Sequence, residues 1–322
     1  MAQRIFSFSG LVIILLLILD VLLLINIEGH ALLSAFLVFM LVVLVCYGIA
    51  YLLLHDDGMN TDAPDLHDRV YVVTGTTHGL GREAARRFAR HGATLVMLNR
   101  DKEGGAATAA AISAESGNEH VYNVWCDLGS LASVKAASEE VLSKWPVIDV
   151  LLCNAGVLTD ISQPTSDGFE KHYGVNFLSH FVLINNLLPA LQQSPQARLV
   201  LMSSVGQWMT TGLDLDHLTF DEVQKDPMAN FMTAYCRSKL AMLILAKECQ
   251  RRYGSDKLIS VAAAPGVVFT SLWRDSSFLT PLLNTVLFVI LIFSHMFIVC
   301  FMHVFVCQQT TSDQDNRAGC TV

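Results

Sequence analysis

The sequence predicts an α/β fold with a doubly wound parallel sheet, and three observations support this. Short apolar segments alternate with helical segments between residues 70 and 263, which implies parallel strands joined by crossover helices. The segment 199–202 is apolar at every position, as expected of a strand covered on both faces. A glycine-rich turn follows the first strand and opens the first helix, as in many sheets of this class.

The predicted elements follow one another in regular order. Strands are expected at 70–74, 93–98, 120–126, 148–153, 198–203 and 257–263. Helices are expected near 79–91, 103–115, 131–144, 168–192 and 233–253. Together these elements predict one domain over residues 69–281, after a linker at 55–68.

Apolar segments outside this domain predict membrane helices. Of the 322 residues 52% are hydrophobic and 16% charged, whereas soluble domains carry about 25% charged residues. Residues 5–27 and 31–54 are each long enough to span a bilayer, which takes about 20 apolar residues. They predict a transmembrane hairpin, because a cleaved signal peptide would be shorter and buried core helices would carry a polar stripe.

A third apolar segment, 282–307, is also long enough to span a membrane. A buried element of the folded domain remains the alternative for it. The tail 308–322 is polar and is predicted to be disordered. The hairpin turn has no Lys or Arg, whereas Arg4 and Arg274 precede spans, so the domain is predicted to face the cytoplasm. The expected membrane is that of the endoplasmic reticulum.

Charge and cysteine usage exclude several classes of function. The net charge is −8, and the basic residues are mixed with acidic ones, which argues against a nucleic-acid surface. The eight cysteines have no CxxC or zinc-ligand spacing, so no metal site is expected and the thiols are expected to be reduced.

The glycine turn after the first strand predicts a phosphate-binding loop. Gly75, Gly79 and Gly81 have the spacing TGxxxGxG, and Thr77, His78 and Leu80 lie among them. Such a turn aims backbone N–H groups and a helix N-terminus at a pyrophosphate, which approaches closely only where side chains are absent.

Further motifs follow the later strands in a fixed order. They are Asp127 after strand three, Asn154-Ala155-Gly156 after strand four, Asn176 in the long helix, Ser204 after strand five, Tyr235 and Lys239 in the last helix, and Pro265-Gly266 with Thr270 after strand six. In this order, over residues 70–270, the chain resembles the short-chain dehydrogenase/reductase family, whose sheet is of the Rossmann type. Within the family it resembles the membrane-linked retinol dehydrogenase-like group and WW-domain oxidoreductase.

The resemblance implies a hydride transfer between a nicotinamide cofactor and an alcohol or carbonyl compound. It implies that Asp127 meets the adenine and that Lys239 holds the nicotinamide ribose. Ser204 would bind the substrate oxygen, and Asn176 would hold a water that links Lys239 to solvent. The glycine loop, Asn154-Ala155-Gly156, Tyr235 and Pro265-Gly266 with Thr270 complete the implied cofactor site.

The residue chemistry supports a catalytic role for Tyr235. Tyr235 and Lys239 are four positions apart, so they share one face of a helix. A free tyrosine has a pKa near 10, and a nearby ammonium is expected to lower it enough for acid–base work at neutral pH.

The end of the second strand bears on the choice of cofactor. Asn99 occupies the place where an acidic residue would bind the ribose hydroxyl of NAD, and Arg100 follows it. An arginine there suits the 2′-phosphate of NADP, and His78 could add a second donor. Asp101 could instead pair with Arg100. We therefore expect NADP and leave NAD open.

After Thr270 the chain departs from the family pattern. No seventh strand is found, because the sequence soon enters the apolar segment 282–307. Two functions therefore stay open. One is an enzyme in contact with the lipid bilayer that acts on a lipophilic retinoid, sterol or isoprenoid. The other is a catalytically impaired membrane protein with a binding or scaffolding role. A homodimer is also left open.

Overall fold

A computed structural model describes residues 64–159, 164–210, 212–213 and 227–266, without the side chains of 227–231. The segments expected to cross a membrane, 5–27, 31–54 and 282–307, and the tail 308–322 lie outside the described residues. So does most of the linker 55–68.

Six parallel strands form one sheet, which confirms the predicted α/β class. They are β1 (Val70–Thr74), β2 (Thr94–Asn99), β3 (Val121–Trp125), β4 (Val150–Cys153), β5 (Ala197–Met202) and β6 (Leu258–Ala263). Their order in the sheet is β3-β2-β1-β4-β5-β6, and every pairing is parallel. The order reverses between β1 and β4, and the crevice at the carboxyl ends of these strands is where such sheets bind ligands.

Helices connect the strands and cover both faces of the sheet. They are α1 (Gly79–Arg90), α2 (Lys102–Ser116), α3 (Leu131–Lys144), α4 (Ser179–Gln193) and α5 (Pro227–Tyr253). A π-helical turn, Tyr173–Leu178, precedes α4, and a 3-10 helix, Val205–Met209, follows β5. Pro227 at the first position of α5 suits a helix start, since its missing N–H would have no partner there.

The strands divide the core between the two faces because successive side chains point in opposite directions. Val72 joins a buried cluster with Leu183 and Leu187 of α4. Its neighbour Val73 joins a second cluster with Phe88 of α1 on the other face. Because every pairing is parallel, the carboxyl ends of the six strands lie at one edge of the sheet, between these two core clusters.

The long helix expected at 168–192 begins later than predicted. Pro164 forms an isolated antiparallel bridge with Glu170, and Gly168 has a φ of +86°. The carboxylate of Glu170 accepts hydrogen bonds from the backbone N–H groups of His172 and Tyr173 and so starts the helix. The π-helical turn that follows contains Asn176, and such turns are frequent at functional sites.

Within the described ranges, one helix, Tyr173–Gln193, is long and apolar enough to cross a membrane by length and composition. The most apolar part of this helix is 61% buried inside the domain, where Leu183 and Leu187 pack against the sheet.

A buried histidine joins α4 to the first strand. The Nδ1 of His180 lies 3.0 Å from the carbonyl oxygen of Asn176, and its Nε2 lies 3.0 Å from the hydroxyl of Thr74. A carbonyl only accepts, so Nδ1 carries the proton and Nε2 accepts from Thr74. Burial lowers the pKa of His180 to about 4, and the charge of Lys239 acts in the same direction.

We therefore expect His180 to destabilise the fold in acid. Between its ordinary pKa of 6.5 and about 4, the unfolded chain takes up a proton that the folded chain excludes. The free energy of unfolding should fall by roughly 3 kcal/mol as the pH is lowered through this window, and should be unaffected above it. Chemical denaturation of the purified chain from pH 7 to pH 4 measures it.

The control compares His180→Gln, which removes the titrating group, with His120→Gln at an exposed position. The pH dependence should weaken in the first variant and persist in the second. An identical pH dependence in the wild type and in His180→Gln would contradict the assignment.

Candidate active site

The glycine loop follows β1 and packs directly against the loop that follows β4. Gly75 and Gly79 have φ values of +69° and +59°, which side chains rarely adopt. A Cβ on Gly75 would lie 2.9 Å from the Cα of Ala155, and one on Gly81 would lie 2.2 Å from the carbonyl oxygen of Gly75. Only glycine therefore fits these places. The resulting cradle of bare backbone fits the phosphates of a dinucleotide.

The remaining residues of the glycine loop lie where the sequence predicts. Thr77 and Leu80 are half-buried, and His78 is exposed at the start of α1. The Nδ1 of His78 lies 2.9 Å from the hydroxyl of Thr77.

The hydroxyl of Thr74 holds the two loops together. It accepts hydrogen bonds from the N–H groups of Asn154 and Ala155, both at 2.9 Å. The amide of Asn154 donates in return to the carbonyl oxygens of Thr74 and Gly75, at 3.0 and 3.1 Å. Thr74 was not among the predicted site residues, although it ends the first apolar strand and opens the TGxxxGxG motif.

β2 ends in a buried amide, and an exposed arginine follows it. Asn99 is 2% exposed, accepts from the backbone N–H of Thr76 at 2.8 Å and donates to Asn123 at 2.9 Å. Asp101 caps α2 by accepting from the N–H of Gly104 at 2.9 Å, which gives it a partner other than Arg100. The side chain of Arg100 is exposed.

Asp127 and the Pro265-Gly266 pair also follow the carboxyl ends of strands. Asp127 follows β3 and is half-buried, and its carboxylate accepts from the N–H of Gly129 at 2.8 Å. Pro265 and Gly266 follow β6, and Gly266 has a φ of +75°. Thr270 lies outside the described residues.

Tyr235 and Lys239 project from α5 into the same region. They are 8% and 5% exposed, and the Nζ of Lys239 lies 5.8 Å from the centre of the Tyr235 ring. Lys239 donates to the carbonyl oxygen of Met202 at 3.1 Å. Ser204 follows β5, and its hydroxyl is hydrogen-bonded to Tyr235. The serine, tyrosine and lysine that the sequence predicts to be catalytic are therefore neighbours.

Burial decides the ionisation of this group. It raises the pKa of Tyr235 above its usual value of 10, although the hydrogen bond from Ser204 opposes the rise. The expected lowering of that pKa by Lys239 is therefore wrong for this structure, because desolvation of the tyrosinate is the largest influence on it. Burial also lowers the pKa of Lys239 to about 8.

Asn176 and Lys239 both lie against the loop after β4, which contains Gly156. The Asn176 side chain accepts from the N–H of Val157 at 2.7 Å and donates to Ser238 at 3.0 Å. A Cβ on Gly156 would lie 3.2 Å from the Nζ of Lys239 and 3.3 Å from the Oδ1 of Asn176. Asn176, Lys239 and Gly156 thus converge at one point, while the water expected on Asn176 stays a prediction.

A buried acid–histidine pair behind Tyr235 was not foreseen. Glu170 and His172 are 2% and 0% exposed, and the Nδ1 of His172 lies 2.6 Å from the Oε1 of Glu170. Burial raises the pKa of Glu170, but the hydrogen bonds from His172 and Tyr173 outweigh it and hold the pKa below its usual value. The rings of His172 and Tyr235 meet edge to face, with centres 6.2 Å apart.

The chain is similar to several known proteins. Residues 69–212 match the short chain dehydrogenase family. Human retinol dehydrogenase 11 is 35% identical over 222 residues, 69% of this chain and 68% of that protein. Mouse polyprenol dehydrogenase is 37% identical over 219 residues, 66% of this chain and 64% of that protein.

A solved structure agrees with the fold. The Pseudomonas aeruginosa RhlG/NADP active-site complex is 25% identical and superposes with a TM-score of 0.53, over 66% of this chain and 77% of that one. The match to the family and the identity to retinol dehydrogenase 11 establish that this chain belongs to the short-chain dehydrogenase/reductase family of oxidoreductases.

Proposed function

We propose that the chain is a membrane-bound oxidoreductase that transfers a hydride between NADP(H) and a lipophilic alcohol or carbonyl compound. The observation that carries the proposal is the convergence of Ser204, Tyr235 and Lys239 with Asn176 at the carboxyl edge of the sheet. Tyr235 and Lys239 come from α5, whereas Ser204 follows β5 and Asn176 lies in the π-helical turn. Structural need alone gives no reason to bury a lysine beside a tyrosine.

The bound dinucleotide would supply or accept the hydride. In the direction of reduction, the hydroxyl of Tyr235 donates a proton to the substrate oxygen, which Ser204 also holds by a hydrogen bond. The raised pKa keeps Tyr235 protonated at neutral pH, as a proton donor must be. Lys239, with a pKa of about 8, can exchange protons close to neutral pH and so return one to Tyr235.

The preference for NADP rests on the end of β2. Asn99 at the end of β2 is neutral and already hydrogen-bonded to Thr76 and Asn123, and Asp101 accepts from the N–H of Gly104 at the start of α2. The exposed guanidinium of Arg100 suits a 2′-phosphate. The rest of the cofactor would be held by the glycine loop with His78, by Asp127, by Asn154-Ala155-Gly156 and by Pro265-Gly266.

Three observations support a lipophilic substrate. Two relatives are named for retinol and polyprenol, which are long apolar alcohols. Trp208 and Met209, shortly after Ser204, are 76% and 72% exposed, so apolar surface lies close to the serine in sequence. The apolar segments at 5–27, 31–54 and 282–307 would hold the domain at a bilayer, where such substrates concentrate. A homodimer stays a prediction.

Replacing Tyr235 with Phe tests the catalytic assignment. The change removes the hydroxyl that donates the proton and keeps the ring, so turnover should fall by about 10²–10⁴-fold while NADPH still binds. Steady-state kinetics and cofactor fluorescence measure the two effects. Tyr122→Phe, at an exposed position of β3, is the matched control and should retain full turnover. Near-normal turnover by Tyr235→Phe would remove Tyr235 from the mechanism and favour a different chemistry.

Replacing Arg100 with Ala tests the choice of cofactor. Loss of a hydrogen bond to a charged group should weaken NADPH binding by about 1.5–3 kcal/mol and leave NADH binding nearly unchanged. Titrations with both nucleotides measure the difference, with Arg90→Ala at the end of α1 as the control. Equal losses for NADPH and NADH would mean that Arg100 does not bind the 2′-phosphate.

Protease protection in sealed microsomes tests the topology. The scarcity of basic residues in the hairpin turn, with Arg4 and Arg274 before spans, favours a cytoplasmic domain and a C-terminus across the membrane. A tag at Met1 should be digested and a tag at Val322 should be protected. Digestion of both tags would reassign 282–307 to the folded domain, and protection of the Met1 tag would reverse the orientation.

A further inference from the structure

Glu170 and His172 are buried titratable groups that the proposed chemistry does not use. They lie just before and within the first turn of the helix that carries Asn176. A buried carboxylate costs free energy unless its oxygens are satisfied, so its partners indicate what it holds in place.

The hydrogen bonds of the pair fix its protonation state. Glu170 accepts from the Nδ1 of His172 and from the backbone N–H groups of His172 and Tyr173, at 2.6, 2.9 and 2.8 Å. The Nε2 of His172 lies 3.2 Å from the backbone nitrogen of Thr159. A backbone N–H only donates, so Nε2 is unprotonated and the imidazole is neutral, with its proton on Nδ1.

This chain of bonds ends against the catalytic tyrosine. Thr159 follows Leu158, which packs with Tyr235 and Cys236 in a small buried cluster. The His172 ring also contacts the Tyr235 ring edge to face, at an interplanar angle of 81°. The pair therefore reaches Tyr235 along two routes, through its own ring and through the 157–159 segment.

A role limited to starting the helix would not use the imidazole. The two backbone N–H groups at the helix start are satisfied by Glu170 alone. The hydrogen bond that the N–H of Thr159 donates to the Nε2 of His172 adds nothing to the helix, but it ties the loop after β4 to the π-helical turn.

We propose that Glu170 and His172 form a positioning pair, in which the carboxylate orients the imidazole and the imidazole, through Thr159, holds the 157–159 segment against Tyr235. The inference rests on the proposed function, since it assigns Tyr235 the proton transfer. Neither residue of the pair touches the reacting atoms.

Two substitutions at His172 separate positioning from packing. His172→Phe keeps a ring against Tyr235 but loses both hydrogen bonds. His172→Gln loses the ring but can still accept from Thr159. If the hydrogen bonds matter, kcat should fall by about 10- to 100-fold in the Phe variant, with KM and the NADPH Kd within about threefold. The Gln variant should recover most of the wild-type kcat.

Hydrogen exchange provides a readout that does not need turnover. The backbone N–H of Thr159 should exchange faster in His172→Phe and stay protected in His172→Gln. Should the Phe variant fail to fold, Glu170→Gln, which keeps the shape and loses the charge, should lower kcat at unchanged NADPH affinity and expose the same N–H.

The inference would be overturned if His172→Phe kept the wild-type kcat and the wild-type exchange rate of the Thr159 N–H. An equal fall of kcat in the Phe and Gln variants would also overturn it. If the wild type turns over no substrate, the proposed function fails, while the exchange measurement still decides whether the pair holds the 157–159 segment.

Discussion

The hydroxyl of Thr74 is the point on which the architecture of the site depends. It accepts the N–H groups of Asn154 and Ala155 from the loop after β4 and donates to His180, whose other nitrogen donates to the carbonyl oxygen of Asn176. One buried hydroxyl thereby joins the glycine loop, the loop after β4 and the π-helical turn. Because all its hydrogen-bonding positions are occupied, the three segments have little freedom to shift against one another.

Burial in this arrangement also sets the pKa values of Tyr235 and Lys239, the proposed catalytic residues. Lys239 and Tyr235 are buried at the carboxyl ends of the strands, and burial destabilises the charged form of each. It therefore lowers the pKa of the lysine and raises that of the tyrosine. Both groups are thus held closer to their neutral forms than in water. A neutral tyrosine beside a lysine that titrates near pH 8 is suited to donate a proton and then recover it.

The neutral histidines fit this pattern. His180 and His172 each donate through Nδ1 and accept through Nε2, and each joins its own helix to another segment, His180 to the end of β1 and His172 to the loop after β4. Neither can take up a second proton without turning an accepting nitrogen into a donor. Burial lowers the pKa of His180 to about 4, so this histidine keeps its neutral form, with Nε2 as acceptor, at neutral pH.

The sequence was sufficient for the fold because its signals are local. Apolar strands, the TGxxxGxG turn and the spacing of Tyr235 and Lys239 each appear within a few residues, and the parallel sheet follows from their alternation. The late start of the long helix was missed, because it depends on the bridge between Pro164 and Glu170 and on the carboxylate of Glu170.

The contacts that organise the site could not be read from the sequence. The bond between Thr74 and His180 joins residues 106 positions apart, and the one between Thr74 and Asn154 joins residues 80 apart. The end of β2 was ambiguous for a related reason. The sequence does not show whether Asp101 pairs with Arg100. In the structure Asp101 accepts a hydrogen bond at the start of α2, and Arg100 is exposed.

The central claim is that this buried constellation catalyses hydride transfer on a lipophilic substrate. The most direct measurement is nicotinamide-dependent conversion of a panel of retinoid, steroid and polyprenol alcohols and carbonyls by membranes that contain the chain. The account predicts turnover of at least one member of the panel, faster with the NADP(H) couple than with NAD(H), and absent from membranes that carry Lys239→Ala. Membranes in which the folded chain binds NADPH yet converts none of these compounds would contradict it and favour a binding or scaffolding role.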